Sequence, residues 1–160
     1  MPQSKVKQLL DSNGVEYTMI VHDPAYTAME TAEAAHVPGV EMAKTVMVKL
    51  DGKMAMAVIP ATHRVDFVLL RSAAGTWDVD FPTEREFRDL FPDCEPGGMP
   101  PFGNLYGMPV FVDEALAQCE RIAFNAGTHM ELIEMAYGDY EWLVRPAVAV
   151  ISAPLFAPAV

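Results

Sequence analysis

Cysteine is scarce in this chain, positive charge is short, and no long apolar run is present. Cys94 and Cys119 are the only two cysteines among 160 residues. Two thiols do not make a disulfide framework or a thiolate metal site. The four histidines, His22, His36, His63 and His129, show no zinc-ligand spacing. Serine occurs only at Ser4, Ser12, Ser72 and Ser152, and none lies in a Gly-x-Ser-x-Gly elbow. No Gly-Lys-Ser/Thr follows a glycine-rich loop, so a P-loop is absent. These gaps argue against serine hydrolases, metalloenzymes and nucleotide-cofactor enzymes; neither a metal nor a cofactor is expected.

Eleven Lys and Arg stand against 22 Asp and Glu, a formal net charge of −11. Nucleic-acid binders draw most of their affinity from cations set against phosphates. A broad basic face for a duplex is therefore excluded. Either nucleic acid is not the partner, or only a small end of it is gripped. No run of about 18 apolar residues exists, so no membrane-spanning helix is expected. The opening Met1-Pro2-Gln3-Ser4-Lys5-Val6-Lys7 lacks the apolar stretch of a secretory signal, so the expected location is the cytoplasm.

What is present fits a soluble globular protein: 51% hydrophobic and 21% charged residues. At this length one domain over residues 1–160 is expected, able to bury about 70% of its unfolded surface. Asp51-Gly52 between Ala43–Leu50 and Lys53–Ile59 predicts a hairpin. Helices are predicted over Ser4–Asn13, from Thr27 to about His36, over Asp66–Ala74 and from Thr83 towards Phe91. A short helix capped by Asp139 carries Trp142 and Leu143. Strands are expected at Tyr17–His22, Met108–Val112 and Arg121–Asn125, with Leu132–Ala136 pairing to the last two, and finally at Ala147–Ile151. The apolar tail from Ala153 is expected on the body or on a second subunit. Helices interrupting hairpin-like strands, without regular βαβ alternation, predict an α+β fold with a mixed, largely antiparallel sheet flanked by short helices.

Three segments stand out. Glu95-Pro96-Gly97-Gly98-Met99-Pro100-Pro101-Phe102-Gly103 holds three glycines and three prolines in nine residues. Proline fixes φ and removes a donor, whereas glycine admits positive φ and close approach, so this is a corner or a cradle. In Ala43-Lys44-Thr45-Val46-Met47-Val48-Lys49, strand alternation sets Lys44 on the face of Val46 and Val48, with Lys49 opposite. A lysine there reaches into a pocket as a fixed cation or snorkels to solvent; the pattern allows both. Phe124-Asn125-Ala126-Gly127-Thr128-His129 ends a strand in a turn with side-chain donors and acceptors.

In order and separation the three segments resemble the YbaK/ProX family. These are aminoacyl-tRNA deacylase domains, found also as the editing insertion of bacterial prolyl-tRNA synthetases. The resemblance covers nearly the whole chain. It implies a catalytic set of Lys44, Gly97, Gly98 and Pro101. It implies substrate contacts from Pro100, Phe102, Gly103, Asn125, Ala126, Gly127 and His129, the last resembling a polar residue of the alanine-specific branch. No metal belongs to the set. The implied reaction is hydrolysis of the ester of a tRNA mischarged with a small amino acid of the alanine, serine or cysteine class, by a free-standing enzyme acting in trans. Lys44 would hold a phosphate or ribose oxygen, and backbone N–H groups around Gly97 and Gly98 would orient the ester. The implied partners are the CCA end of aminoacyl-tRNA, with salt-sensitive binding, and a recruiting aminoacyl-tRNA synthetase; a monomer or homodimer fits. The alternative is a non-catalytic module binding a small ligand or nucleotide in the same cleft.

Overall fold

In a computed structural model, residues 4–95 and 97–155 are described. In chain order the elements are α1 (Lys5–Ser12), β1 (Tyr17–Val21), α2 (Ala28–Ala34), β2 (Ala43–Leu50), β3 (Lys53–Pro60), β4 (His63–Val65), α3 (Phe67–Ala74), β5 (Val79–Asp80) and α4 (Glu84–Arg88). There follow a 3₁₀ turn at Gly103–Leu105, β6 (Val110–Asp113), α5 (Glu114–Ala117), β7 (Arg121–Asn125), β8 (Glu131–Ala136), α6 (Tyr137–Val144), β9 (Ala147–Ala149) and β10 (Ser152–Pro154).

Local chemistry explains many boundaries. Asp51 and Gly52 take φ of 50° and 83°, the two positive values that a type I′ turn needs. The hairpin then zips from Leu50↔Lys53 to Ala43↔Pro60. The Asp51 carboxylate also accepts from the N–H groups of Trp77 and Asp78, which ties the following turn to the hairpin tip. Asp66 caps α3 by accepting from Leu69 N–H at 3.0 Å, and Gly75 ends it with φ 66°. Thr83 and Glu86 form a reciprocal capping box at α4.

The strands form a five-stranded sheet in the order β5-β2-β3-β6-β9, a three-stranded sheet β1-β8-β7 and the pair β10-β4. All pairings are antiparallel except β3–β6 and β6–β9. The α+β expectation, mixed and largely antiparallel, therefore holds. One core fills the space between the two larger sheets, α1 and α6, around Met47, Met56, Phe124 and Tyr140. A second lies on the opposite face of β2 and β3, where Val48, Ala57 and Ile59 meet Leu70 of α3 and Ile151. A third seats α2 on Met42, Ala61 and Leu132.

Several expectations need correction. Leu132–Ala136 pairs with β7 and β1, not with the strand at 110–113, which runs parallel to β3 and β9 in the other sheet. Asp139 does not cap α6: Ala136 is the N-cap and Asp139 sits in the first turn. Helix α2 stops at Ala34, and His36 takes φ 59° beyond it. The last strand is two short ones, because Ser152–Pro154 leaves β9 to pair with His63–Val65. That pairing lays the described part of the apolar tail on the body; residues 156–160 lie outside the described residues.

Candidate functional site

A backbone bridge joins the two larger sheets at the corner where the candidate site lies. Met42, just before β2, bridges Ala123 of β7 in parallel, and Ala123 N–H donates to Glu41 O at 2.9 Å. This brings the start of β2, with Lys44, beside the end of β7, with Asn125. The Gly/Pro loop closes on the same corner. Gly98 O accepts from Gly127 N–H at 2.9 Å, and Gly127 O accepts from Glu95 N–H at 2.7 Å. The approach is close: a Cβ on Gly98 would lie 3.1 Å from the carbonyl of Gly127 and 3.2 Å from Thr128 N, so only glycine fits without movement.

A cleft of about 340 Å³ opens here, lined by Lys44, Asn125, Gly97 and Met99, with Tyr26, Met29, Ala61 and Leu155 around them. Larger grooves of about 610 Å³ exist elsewhere. The one beside Ala126 and Gly127, for example, is bounded by Lys7 and Glu131, already ion-paired to each other at 3.5 Å. The smaller cleft is the candidate site because its lining combines the cation Lys44 with Asn125, whose Oδ1 has no hydrogen-bond partner among the described residues.

Lys44 Nζ donates to His63 O at 2.7 Å. Burial lowers its pKa, because an ammonium loses hydration there. The carbonyl that holds it belongs to β4, and His63 Nδ1 lies 2.8 Å from Ser152 Oγ of β10. Strand β10 is itself fixed by Asp113, a 3% exposed carboxylate whose Oδ1 accepts from Ile151 N–H and Ser152 N–H. The lysine is thus seated by a chain of contacts reaching three strands away. Asn125 Oδ1 is buried and has no hydrogen-bond partner among the described residues. A carbonyl oxygen in that state calls for a donor, and a ligand in the cleft can supply one.

The remaining expected residues divide. Gly97 takes φ 82° and lines the cleft. A Cβ on it would lie 3.2 Å from Cε1 of His129, so the imidazole sits directly against the loop. Gly98 N–H donates to Glu95 O at 2.9 Å, closing a turn. The N–H expected to orient an ester is thus engaged in the turn, and the turn's own bond leaves the Gly97 N–H outside it. Pro100, Pro101, Phe102 and Gly103 are buried behind the cleft. Pro101 O accepts from Tyr140 OH at 2.7 Å, and the Phe102 ring meets Tyr140 edge-on at 5.3 Å. Gly103 leaves no space for a side chain, since a Cβ would lie 2.7 Å from Met108 O. These four hold the loop down; they do not face the cleft. Ala126 belongs to the main core, and Gly127 faces the neighbouring groove. Pro96 lies outside the described residues.

Tyr26, Met29, Ala61 and Leu155 were not anticipated. The Thr27 cap at least placed Tyr26 at a helix entrance. Leu155 reaches the cleft through the β4–β10 pairing and has no local sequence signal.

Residues 22–143 match the family described as the aminoacyl-tRNA editing domain. The chain belongs to that family. Its relatives include the proline–tRNA ligase of Macrococcus caseolyticus, 23% identical over 158 residues, covering 82% of this chain and 28% of the ligase. The proline–tRNA ligase of Staphylococcus aureus (strain Newman) is 31% identical over 129 residues, covering 74% and 22%. The editing domain thus spans less than a third of the length of these curated relatives. Among solved structures it is similar to a hypothetical protein, with a TM-score of 0.83, 22% identity and coverage of 93% of this chain and 99% of the other. A candidate trans-editing enzyme for prolyl tRNA synthetase gives a TM-score of 0.77 at 22% identity, covering 92% and 94%. These structural matches concern the fold. Among the described residues no helix is long and apolar enough to cross a membrane, and no group of three or more His, Cys, Asp or Glu is placed to hold a metal ion.

Proposed function

We propose that this editing domain is a deacylase that acts in trans on tRNA mischarged with a small amino acid of the alanine, serine or cysteine class. It hydrolyses the ester between the amino acid and the 3′-terminal ribose. The observation that carries the reading is that Lys44 and Asn125, whose Oδ1 has no partner among the described residues, line one cleft of a chain from the editing family. The likeness to a candidate trans-editing enzyme for prolyl tRNA synthetase supports action in trans.

The described lining contains no carboxylate, thiol or imidazole. Such a lining suits an ester that is already activated, because little acid–base help is required. Water attacks the carbonyl carbon, the bond to the ribose oxygen breaks, and that oxygen leaves with a proton, freeing the amino acid. The neighbouring ribose hydroxyl positions the water. Lys44 holds a phosphate or ribose oxygen as a point charge, fixed by His63 O. Asn125 Oδ1 accepts from the substrate's ammonium or hydroxyl. Gly97 N–H is the loop donor available to the developing oxyanion. His129 braces Gly97 from behind. An apolar wall of Met29, Ala61 and Leu155 limits side-chain size, though a single methylene changes selectivity only by about 10–200-fold. A synthetase that delivers the tRNA body is the expected partner, since the domain grips only the CCA end.

The test is release of amino acid from tRNAs carrying alanine, serine, cysteine or proline, with Lys44→Ala in parallel. Rapid release from one small-residue tRNA is expected, slowed by roughly 10²-fold or more in the variant. Release no faster than spontaneous hydrolysis on every substrate would overturn the proposal.

A further inference from the structure

Tyr26 is the most exposed aromatic residue at the cleft, at 73%, and it lines the same cavity as Lys44. It is nevertheless well anchored. The preceding Ala25 is buried and its N–H donates to His129 O at 3.4 Å; His22 N–H donates to Met130 O at 2.9 Å. The Tyr26 ring meets the His129 imidazole at 4.9 Å between centroids, tilted by 50°. His129 in turn abuts Gly97. One part of the phenol ring thus rests on His129, and through it on Gly97, while most of the residue stays open to solvent at the mouth.

Charge says what such a ring is for. The chain carries a net −11, and Lys44 is the one cation among the described residues lining the cleft. A nucleic-acid end approaching this protein gains little from phosphate neutralisation and must be held by contacts that do not depend on charge. Stacking of a base on an aromatic face is such a contact and is available to every base.

We propose that Tyr26 is a stacking platform for the terminal purine base of the substrate, with the adjoining phosphate or ribose directed to Lys44. This rests on the deacylase reading for the identity of the substrate, but the platform itself is testable without turnover. It also assigns His129 a second task, as the brace that keeps the ring turned outward.

The experiment compares binding of adenosine 5′-monophosphate and of ribose 5-phosphate, followed by NMR on the aromatic resonances. Both carry the phosphate that Lys44 would hold, and only the first has a base. The proteins are the wild type, Tyr26→Phe, Tyr26→Leu and Tyr26→Ala. Wild type and Tyr26→Phe should bind the nucleotide about 10–100-fold more tightly than the sugar phosphate. Tyr26→Leu, which keeps an apolar contact on His129 without a π face, should lose that preference, as should Tyr26→Ala. Equal affinity of the wild type for the two probes would overturn the platform, and so would a preference that survives in Tyr26→Leu. Kinetics on mischarged tRNA complete the test: Tyr26→Leu should raise KM by a similar factor and leave kcat nearly unchanged, whereas an unchanged KM would overturn the proposal. Absence of turnover in the wild type, with the nucleotide preference intact, would instead remove the deacylase reading and leave the platform standing.

Discussion

At the residue scale the cleft depends on atoms left without partners, and Asn125 is the clearest case. Its Oδ1 is buried with no hydrogen-bond partner among the described residues. A polar atom in that state costs the folded protein about 1–3 kcal/mol. Replacing it with a side chain of the same shape that needs no partner should therefore not weaken the fold. Asn125→Leu is expected to keep or raise the melting temperature while deacylation falls; calorimetry beside an activity assay checks both. A clear drop in melting temperature would show that Asn125 serves the structure instead. Cys94 makes the opposite point, since it lies near the loop yet burial favours its neutral thiol. Burial pushes its thiol up to about 11 from 9.0, with Asp93 adding to the rise and the Tyr106 hydroxyl opposing it. A raised folded value means that the thiol is neutral in both states below about pH 9, so its stabilising contribution is whole there and fades as the pH climbs through 11. At pH 8 Cys94 should react with iodoacetamide at least about tenfold more slowly than in the denatured chain, read by peptide mass spectrometry. Equal rates would show that the thiol is not held down by burial.

At the element scale the question is what keeps β10 in place, because it supplies the Ser152 contact behind Lys44 and leads directly to Leu155 at the cleft. Asp113 answers it. Its carboxylate accepts from the N–H groups of Ile151 and Ser152 and caps α5 through Ala115 N–H at 3.0 Å. Asp113→Ala leaves these donors unpaired, and a loss of about 3 kcal/mol or more is expected in urea unfolding. A loss below about 1 kcal/mol would mean that water replaces the carboxylate easily. Only the packing of the tail on the body was legible in the sequence; the pairing and its Asp113 anchor were not. Strand β10 meets β4 from nearly ninety positions away, as the His63–Ser152 separation of 89 shows, and three-residue strands carry no readable period. What else was legible was local. Asp51-Gly52 forced a type I′ turn, Asp66 and Gly75 bounded α3, and Thr83 boxed α4, because each signal acts within four residues of itself or, for α3, at its two ends. The Gly/Pro segment was legible as a unit but not side chain by side chain. Gly97 and Met99 face the cleft, while Phe102 and Gly103 turn into the core to meet Tyr140 and Met108. A motif marks a segment; only the fold decides which of its atoms a ligand meets.

At the scale of the whole molecule the net charge of −11 would face the polyanionic tRNA of the proposed reaction. The sequence led to an expectation of salt-sensitive binding, and the structure argues for a shallower dependence. Three of the other cations are engaged in ion pairs: Lys7 with Glu131, Lys49 with Glu86 at 2.7 Å, and Arg121 with Glu134 at 3.3 Å. Lys44 is the one cation lining the cleft among the described residues. A single phosphate contact to a single strand gives a slope of about −0.7 in log affinity against log salt, a weakening of roughly threefold between 50 and 200 mM. Repulsion between the acidic body and the rest of the tRNA works against even that, because salt screens it and eases approach. The expected outcome is a KM that changes by less than about threefold over that range, measured at constant pH on one mischarged tRNA. The same titration with Lys44→Ala should be flat or should fall as salt rises, since only the repulsion remains to be screened. A tenfold or steeper rise in the wild type would require several phosphates to be bound away from the cleft, and the proposal that only the CCA end is gripped would fail.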